Sequence, residues 1–312
     1  MPITAESSTE KQLGSPQSHI RSTGWTDALM LVGQGATLFE SMVVELSQYL
    51  NLPSQAVASA CASGEQRVAD DWNSHRLHKG SDISEIVEFY RTTENYLFDL
   101  TTFNSEYPHT KTLDALVKLA HDRGLTHAMD FGAGIGSVGI FFARSGFEVS
   151  LADVSEPLQR YVQWRFDTRR LKCTLINLNK EQPPEGIFGI VTAFDVLEHV
   201  PQPAETMRML AKSMKIGGLI ALNVEEPGDR FPQHISRYED VLSTVAAAGF
   251  RRIKYIGKTE IFERIERNPL SVRWHVMWGK VWYDALYRHC MNLLAVLRIK
   301  QLLRALIKGS RG

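Results

Sequence analysis

The chain has 312 residues, 44% hydrophobic and 22% charged, with Lys plus Arg and Asp plus Glu both at 35. That length and balance predict a globular protein with a sizeable core and exclude wholesale disorder. A formal net charge of zero leaves no global field to gather nucleic acid, so such a role would need a local basic patch.

Residues 1–23 are rich in Ser, Thr, Gln and Gly without periodicity and read as a flexible tail. The opening MPITAESSTE lacks the basic and apolar regions of a signal peptide, and no apolar run approaches the roughly 18 residues of a membrane span. Cys61, Cys173 and Cys290 lie far apart with no C-x-x-C, which suggests neither a disulfide framework nor a zinc ribbon. The expectation is a soluble, cytoplasmic protein with reduced thiols.

From residue 24 to 107 the pattern is that of a helical N-terminal cap. Leu38, Phe39, Met42, Val43, Leu46, Tyr49 and Leu50 recur at three and four, and Asn51-Leu-Pro53 stops the run. Further helices are predicted from Ser54 to about Arg76 and from Ser84 to about Leu100. Pro108 to Arg123 follows, with Leu113, Leu116, Val117 and Ala120 on one face and Gly124 after its end.

Residues 108–267 read as one α/β domain. Strands are predicted at Thr126–Phe131, Glu148–Ala152, Cys173–Asn177, Gly189–Phe194 and Leu219–Asn223, with helices between them at Val138–Ser145, Leu158–Arg169 and Pro203–Met214. Continuously apolar strands alternating with helices predict a parallel sheet covered on both faces, with right-handed connections. A helix from Tyr238 to Ala248 ends at Gly249, and Arg251–Ile256 and Thr259–Arg264 form a hairpin about Gly257.

Residues 268–312 read as a C-terminal helical extension. Trp274, Trp278 and Trp282 fall four apart. Farther on, Ile299, Leu302, Leu303, Leu306 and Ile307 face away from Lys300, Gln301, Arg304 and Lys308. Such a basic amphipathic helix suits either an anionic membrane surface or its own domain, and docking on the domain is preferred.

The stretch from Thr126 to Glu156 organises the domain. A strand ends in Asp130-Phe-Gly132-Ala-Gly134-Ile-Gly136, a helix follows, and a second strand closes at Asp153. Alternating glycines let a turn approach a ligand, the helix N-terminus points free N–H groups at the same place, and Asp153 is placed to grip ribose hydroxyls. Two cofactors fit. Gly134-x-Gly136-x-x-Gly139 formally matches a dinucleotide loop, but Asp130 at its mouth would repel a pyrophosphate. S-adenosylmethionine carries an ammonium and a sulfonium instead, so charge favours it.

The glycine loop, Asp153, the run Phe194-Asp-Val-Leu-Glu-His-Val-Pro201, and the segment from His234-Ile-Ser-Arg-Tyr238 to Ala248-Gly-Phe250 together resemble the class I S-adenosylmethionine-dependent methyltransferases. The nearest branch is that of the ubiquinone-pathway O-methyltransferases, and the resemblance covers about Leu113 to Tyr255. It implies a Rossmann-like seven-stranded sheet, mostly parallel with the last strand antiparallel, between the helical cap and the C-terminal extension. It also implies that Asp130, Gly132, Gly134 and Gly136 hold the methionine half of the cofactor and Asp153 the ribose. Asn177 and Leu178 then touch the adenine, with Asn where the family commonly has Asp, and Asp195 lies near the sulfonium.

Methyl transfer needs alignment and exclusion of water, and needs a base only where the acceptor holds its proton. His199, His234 and Tyr238 are the candidates, and Tyr90 and Tyr96 are candidates for a lid over the acceptor. His75-x-x-His78 has no third ligand nearby, so no metal site is read. The sequence leaves three functions open: methyl transfer to a small-molecule acceptor, non-methylating use of the same cofactor (another group transfer or a cyclisation), and nucleic-acid methylation. The last lacks a basic groove and a base-flipping box, since FDVLEH stands after the fourth strand.

Overall fold

Alternating apolar strands and amphipathic helices form the two-faced α/β sheet that the sequence leads one to expect. The computed structural model describes residues 24–31, 33–106, 109–225 and 231–266, without the side chains of 238–240. The expected N-terminal tail and C-terminal extension lie outside the described residues.

Among the described residues, six helices form the N-terminal cap: α1 (Trp25–Leu29), α2 (Leu38–Leu50), α3 (Ser54–Ala62), α4 (Gly64–Ser74), α5 (Ile83–Thr92) and α6 (Tyr96–Glu106). The helix α2 starts with a reciprocal capping box, in which the Thr37 side chain accepts from Glu40 N and the Glu40 carboxylate accepts from Thr37 N, and it ends at Asn51 in the left-handed region.

Two predicted helices are each broken in two. The first breaks before Gly64, where a Cβ would stand 2.5 Å from the Cα of Asp99 on α6, so the backbones meet too closely for a continuous helix to pass. The second breaks at 93–95, where the Thr93 hydroxyl and the Asn95 amide both donate to Asp71 Oδ2. Side-chain bonds of this kind compete with the helical ladder.

The rest alternates: α7 (Thr110–Asp122), β1 (His127–Phe131), α8 (Ser137–Arg144), β2 (Glu148–Asp153), α9 (Glu156–Thr168), β3 (Thr174–Asn177), β4 (Phe188–Ala193), α10 (Pro203–Ser213), β5 (Met214–Leu222), α11 (Tyr238–Ala247), β6 (Phe250–Ile256) and β7 (Thr259–Arg264). The sheet order is β3-β2-β1-β4-β5-β7-β6. The pairs β1–β2, β1–β4, β2–β3 and β4–β5 are parallel, and β7 alone runs antiparallel to both its neighbours. This is the Rossmann-like seven-stranded sheet, mostly parallel with one antiparallel strand, that the resemblance implies.

One face of the sheet packs α7, α8 and α9 through Leu113, Phe141, Phe142, Val162 and Phe166, and the other packs α10 and α11 through Met207, Leu210, Val241 and Val245. Each fully buried Phe or Leu contributes about 1.5–3 kcal/mol. A third cluster joins the cap to the sheet domain, with Met42, Leu46 and Leu97 against Ile135, Leu158 and Tyr161. Strand order reverses between β1 and β4, and the carboxyl ends of those strands open the crevice where ligands of such sheets sit.

Candidate functional site

A cavity of about 530 Å³ lies at that crevice, within the usual range for small-molecule sites. Its floor is the turn after β1. The amides of Gly132 and Ala133 both donate to Ala152 O, which ties the turn to the end of β2. Gly132 and Gly134 have φ of +69° and +55°, and a Cβ at either would stand 2.4 Å from Val196 or 2.7 Å from Leu100. Only glycine combines that dihedral with that closeness.

Asp153 closes β2. Its Oδ2 accepts from Gly134 N at 2.8 Å and its Oδ1 from Ser155 N at 2.8 Å, and each oxygen keeps capacity for a further donor such as a hydroxyl. Asp130 lies at the end of β1, buried, and accepts from the Thr192 hydroxyl at 2.6 Å. Burial pushes its carboxyl up to about 7, with the charge of Asp153 adding to the rise and the Thr192 bond opposing it. Among the described residues no cation pairs with this buried acid.

Asp195 follows β4 with φ +52°, a left-handed conformation for a residue with a side chain. Asn223, after β5, holds it there: the Asn223 amide donates to Asp195 Oδ1, and Asn223 Oδ1 accepts from Asp195 N. The other carboxylate oxygen faces His109 Nε2 at 3.6 Å, and the His109 ring stacks on Phe194 with centroids 4.2 Å apart.

The cap supplies the roof. Ile83, Ile86, Val87 and Tyr90 of α5 and Tyr96, Leu100 and Phe103 of α6 line the cavity. Tyr90 Oη lies 2.9 Å from His199 Nδ1, and both groups stand 3.2 Å from Gln233 O. Burial, with His234 close by, lowers His199 to about 3, so the ring is neutral at pH 7. Beside it Glu198 is fully buried, one oxygen accepting from Glu225 N and the other without a hydrogen bond among the described residues. Burial, and then the charge of Asp195, raises it to about 8.

Among the residues expected from sequence, Asp130, Gly132, Gly134, Asp153, Leu178, Asp195 and His199 share the one cavity. Gly136 lies beneath it as the N-cap of α8, packed on Val162. Asn177 does not line it: its Oδ1 accepts from Asn179, and it borders a separate shallow depression on the outer side. His234 stands behind His199, ring centroids 4.7 Å apart. Tyr238 opens α11, and its side chain lies outside the described residues.

His109 was not visible as a site residue in the sequence, because only the tertiary fold carries it to Asp195. Glu198, His199 and His234 also come together, with ligand atoms within 4.8 Å of one another, and could hold a metal ion. The signal available for them was the adjacent Glu-His pair after the fourth strand. His75 instead bonds Asp71 on its own helix, and His78 accepts from Gly80 N.

The site's residues fit S-adenosylmethionine. Asp130 offers an anion to an ammonium, Asp153 offers acceptors to a ribose, and the glycine turn leaves the space a Cβ would fill. A pyrophosphate would meet two carboxylates there instead.

A family model for the methyltransferase domain matches residues 91–306. A ubiquinone biosynthesis O-methyltransferase of Hydrogenovibrio crunogenus is 24% identical over 188 residues, 59% of this chain and 78% of that protein. Its counterpart in Marinobacter nauticus is 27% identical over 167 residues, 52% and 68% of the two chains. Among solved structures, an S-adenosylmethionine-dependent methyltransferase from Clostridium acetobutylicum superposes with a TM-score of 0.45 at 10% identity, covering 53% of this chain and 96% of that one. The N-methyltransferase NodS from Bradyrhizobium japonicum gives 0.43 at 14% identity, covering 52% and 99%.

Proposed function

The chain belongs to the methyltransferase-domain family, and on that premise we propose that it transfers the methyl group of S-adenosylmethionine to a small, largely apolar acceptor held beneath the N-terminal cap. One observation carries the reading. The glycine turn, Asp130 and Asp153 open into the same cavity as the apolar wall of Ile83, Ile86, Val87, Tyr90 and Tyr96. A cofactor held by the first group would share one cavity with an acceptor held by the second. The O-methyltransferase relatives, whose names place them in ubiquinone biosynthesis, support an acceptor of small-molecule class.

When bound, the cofactor supplies a methyl carbon activated by a positive sulfur. The chain's own residues align the partners and keep water out. Asp130 would hold the ammonium and Asp153 the ribose hydroxyls, and the glycine turn would let the cofactor approach the backbone. The roof of α5 and α6 closes over the acceptor.

Where the acceptor loses a proton, two histidines among the described residues line the cavity with different situations. His199 is neutral and has Nδ1 against Tyr90 and Gln233 O, which suits a fixed hydrogen-bonding wall. His109, beside the Asp195 carboxylate, is the group that takes the proton, with Asp195 stabilising the resulting cation. Calorimetry tests the assignment: S-adenosylhomocysteine should bind, NAD should not, and Asp153→Ala should weaken the binding at least tenfold. Tight binding of NAD with none of S-adenosylhomocysteine would overturn it.

A further inference from the structure

Three charged side chains lie buried together away from the reacting end of the cavity. Glu45 of α2 is 1% exposed and Arg165 of α9 is wholly buried, and Arg169 lies a turn farther along α9. Arg165 Nε and Nη2 donate to the two Glu45 oxygens, each at 3.1 Å. Arg169 donates to the same two oxygens and, at 2.7 Å, to Leu29 O at the end of α1.

Such a group is costly to bury, and a pair of this kind is weak grounds for stability by itself. What sets it apart is where the remaining donor of Arg165 goes. Nη1 reaches Ile135 O at 2.6 Å and Ser137 Oγ at 3.1 Å. Ile135 stands between Gly134 and Gly136 in the turn, and Ser137 is the first residue of α8. One guanidinium therefore spans from the cap helix α2 to the backbone of the turn.

The same junction is sealed by apolar contact, since Ile135 packs with Met42, Leu46 and Leu97 of the cap, and Leu100 of α6 stands against Gly134. Burial works against the Glu45 charge, but the pull of Arg165 and the bond from Arg169 outweigh it and hold the carboxyl below its usual range. The clamp is thus ionised. The guanidinium fork uses four of its donor contacts in fixed directions, a geometry that a lysine cannot reproduce.

We propose that Arg165, held by Glu45, is a positioning residue for the cofactor: it fixes the Ile135 carbonyl and so the turn 132–137, which makes the N-terminal cap part of the cofactor site. This rests on the reading that the cavity takes S-adenosylmethionine, whereas the clamp on the turn does not. Cofactor binding and seating of the cap are then coupled, and coupling of two such events is reciprocal.

The test uses the full chain, with S-adenosylhomocysteine as the probe. Arg165→Lys keeps the buried charge but loses the fork, and Glu45→Gln keeps the shape but loses the anion. Titration calorimetry on folded protein should give at least a fivefold weaker dissociation constant for either variant. Amide exchange of residues 132–137 in the ligand-free protein should quicken at least fivefold. A clamp serving only stability would lower the melting temperature and leave both readings of the folded protein within twofold of the unaltered chain, which would overturn the proposal. Should Glu45→Gln fail to fold, Arg165→Lys decides alone. If the unaltered chain binds no S-adenosylhomocysteine, the proposed cofactor fails. The exchange measurement still decides the clamp.

Discussion

Asp130 offers the sharpest test of how the crevice recognises its ligand. In the ligand-free protein its carboxyl is raised to about 7 by burial, with Asp153 adding to the rise. An ammonium placed against it favours the ionised form and would lower it by about 1–3 pH units. Binding below pH 7 must then expel a proton, so affinity should rise with pH. At pH 5.5 about 3% of the ligand-free protein has the ionised acid, and affinity for S-adenosylhomocysteine should be roughly 7–30-fold weaker than at pH 8 across that range of shifts, about 1–2 kcal/mol. Calorimetry in two buffers of different ionisation heat reads the expelled proton directly. Asp130→Asn should bind more weakly at pH 8 and lose most of the pH dependence. Thr192→Val removes the bond that holds the acid down, so it should move the midpoint upward. Affinity independent of pH from 5.5 to 8, or an unchanged profile in Asp130→Asn, would refute the reasoning. The same shift bears on folding with the opposite sense. A carboxyl raised in the folded state contributes stability that is full below its unfolded value near 4 and is lost as pH rises through about 7.

Gly134→Ala places a Cβ 2.7 Å from Leu100 Cδ1 at φ +55°. It should cost S-adenosylhomocysteine binding at least tenfold by calorimetry, with Leu100→Ala recovering only part because the dihedral strain of about 1–2 kcal/mol remains. Gly64→Ala meets backbone rather than a flexible side chain, 2.5 Å from Asp99 Cα. It should destabilise the chain by about 2–3 kcal/mol, read as a fall in melting temperature of roughly 4–12 °C. With an acceptor in hand, His109→Gln should lower kcat at least tenfold and leave the S-adenosylhomocysteine dissociation constant within twofold. His199→Gln, which keeps a hydrogen-bonding side chain at the wall, should raise the acceptor KM more than it lowers kcat. The reverse pattern would exchange the two roles.

The sheet and the turn that floors the crevice were legible because their signals are local. Strands buried on both faces read as apolar runs, and the turn with Asp130 and Asp153 lies within one β-α-β unit whose geometry is set by neighbours in sequence. Strand edges moved by a residue or two, except β5, which begins at Met214 rather than Leu219. The broken helices were not legible, because the break at Gly64 is imposed by Asp99 of α6 and the break at 93–95 by Asp71 of α4. The pairing of His109 with Asp195 and the reach of Arg165 from Glu45 to Ile135 are likewise tertiary. The separations are 86 residues between His109 and Asp195, from 195 − 109, and 120 between Arg165 and Glu45. No periodicity or motif announces contacts that long. Asn177 shows the limit of carrying a family position over by its place after a strand, since its side chain turns to Asn179 while Leu178 faces the crevice.

Methyl transfer from S-adenosylmethionine to a small acceptor in this cavity can be followed directly. The direct measurement incubates the purified chain with methyl-deuterated S-adenosylmethionine and a small-molecule metabolite extract, and follows the label by mass spectrometry. One or more small molecules should gain the deuterated methyl in proportion to the S-adenosylhomocysteine formed, a product absent with Asp153→Ala. Cofactor consumed while the label stays on sulfur and the aminocarboxypropyl portion moves would contradict it, as would an acceptor transformed with no S-adenosylhomocysteine released.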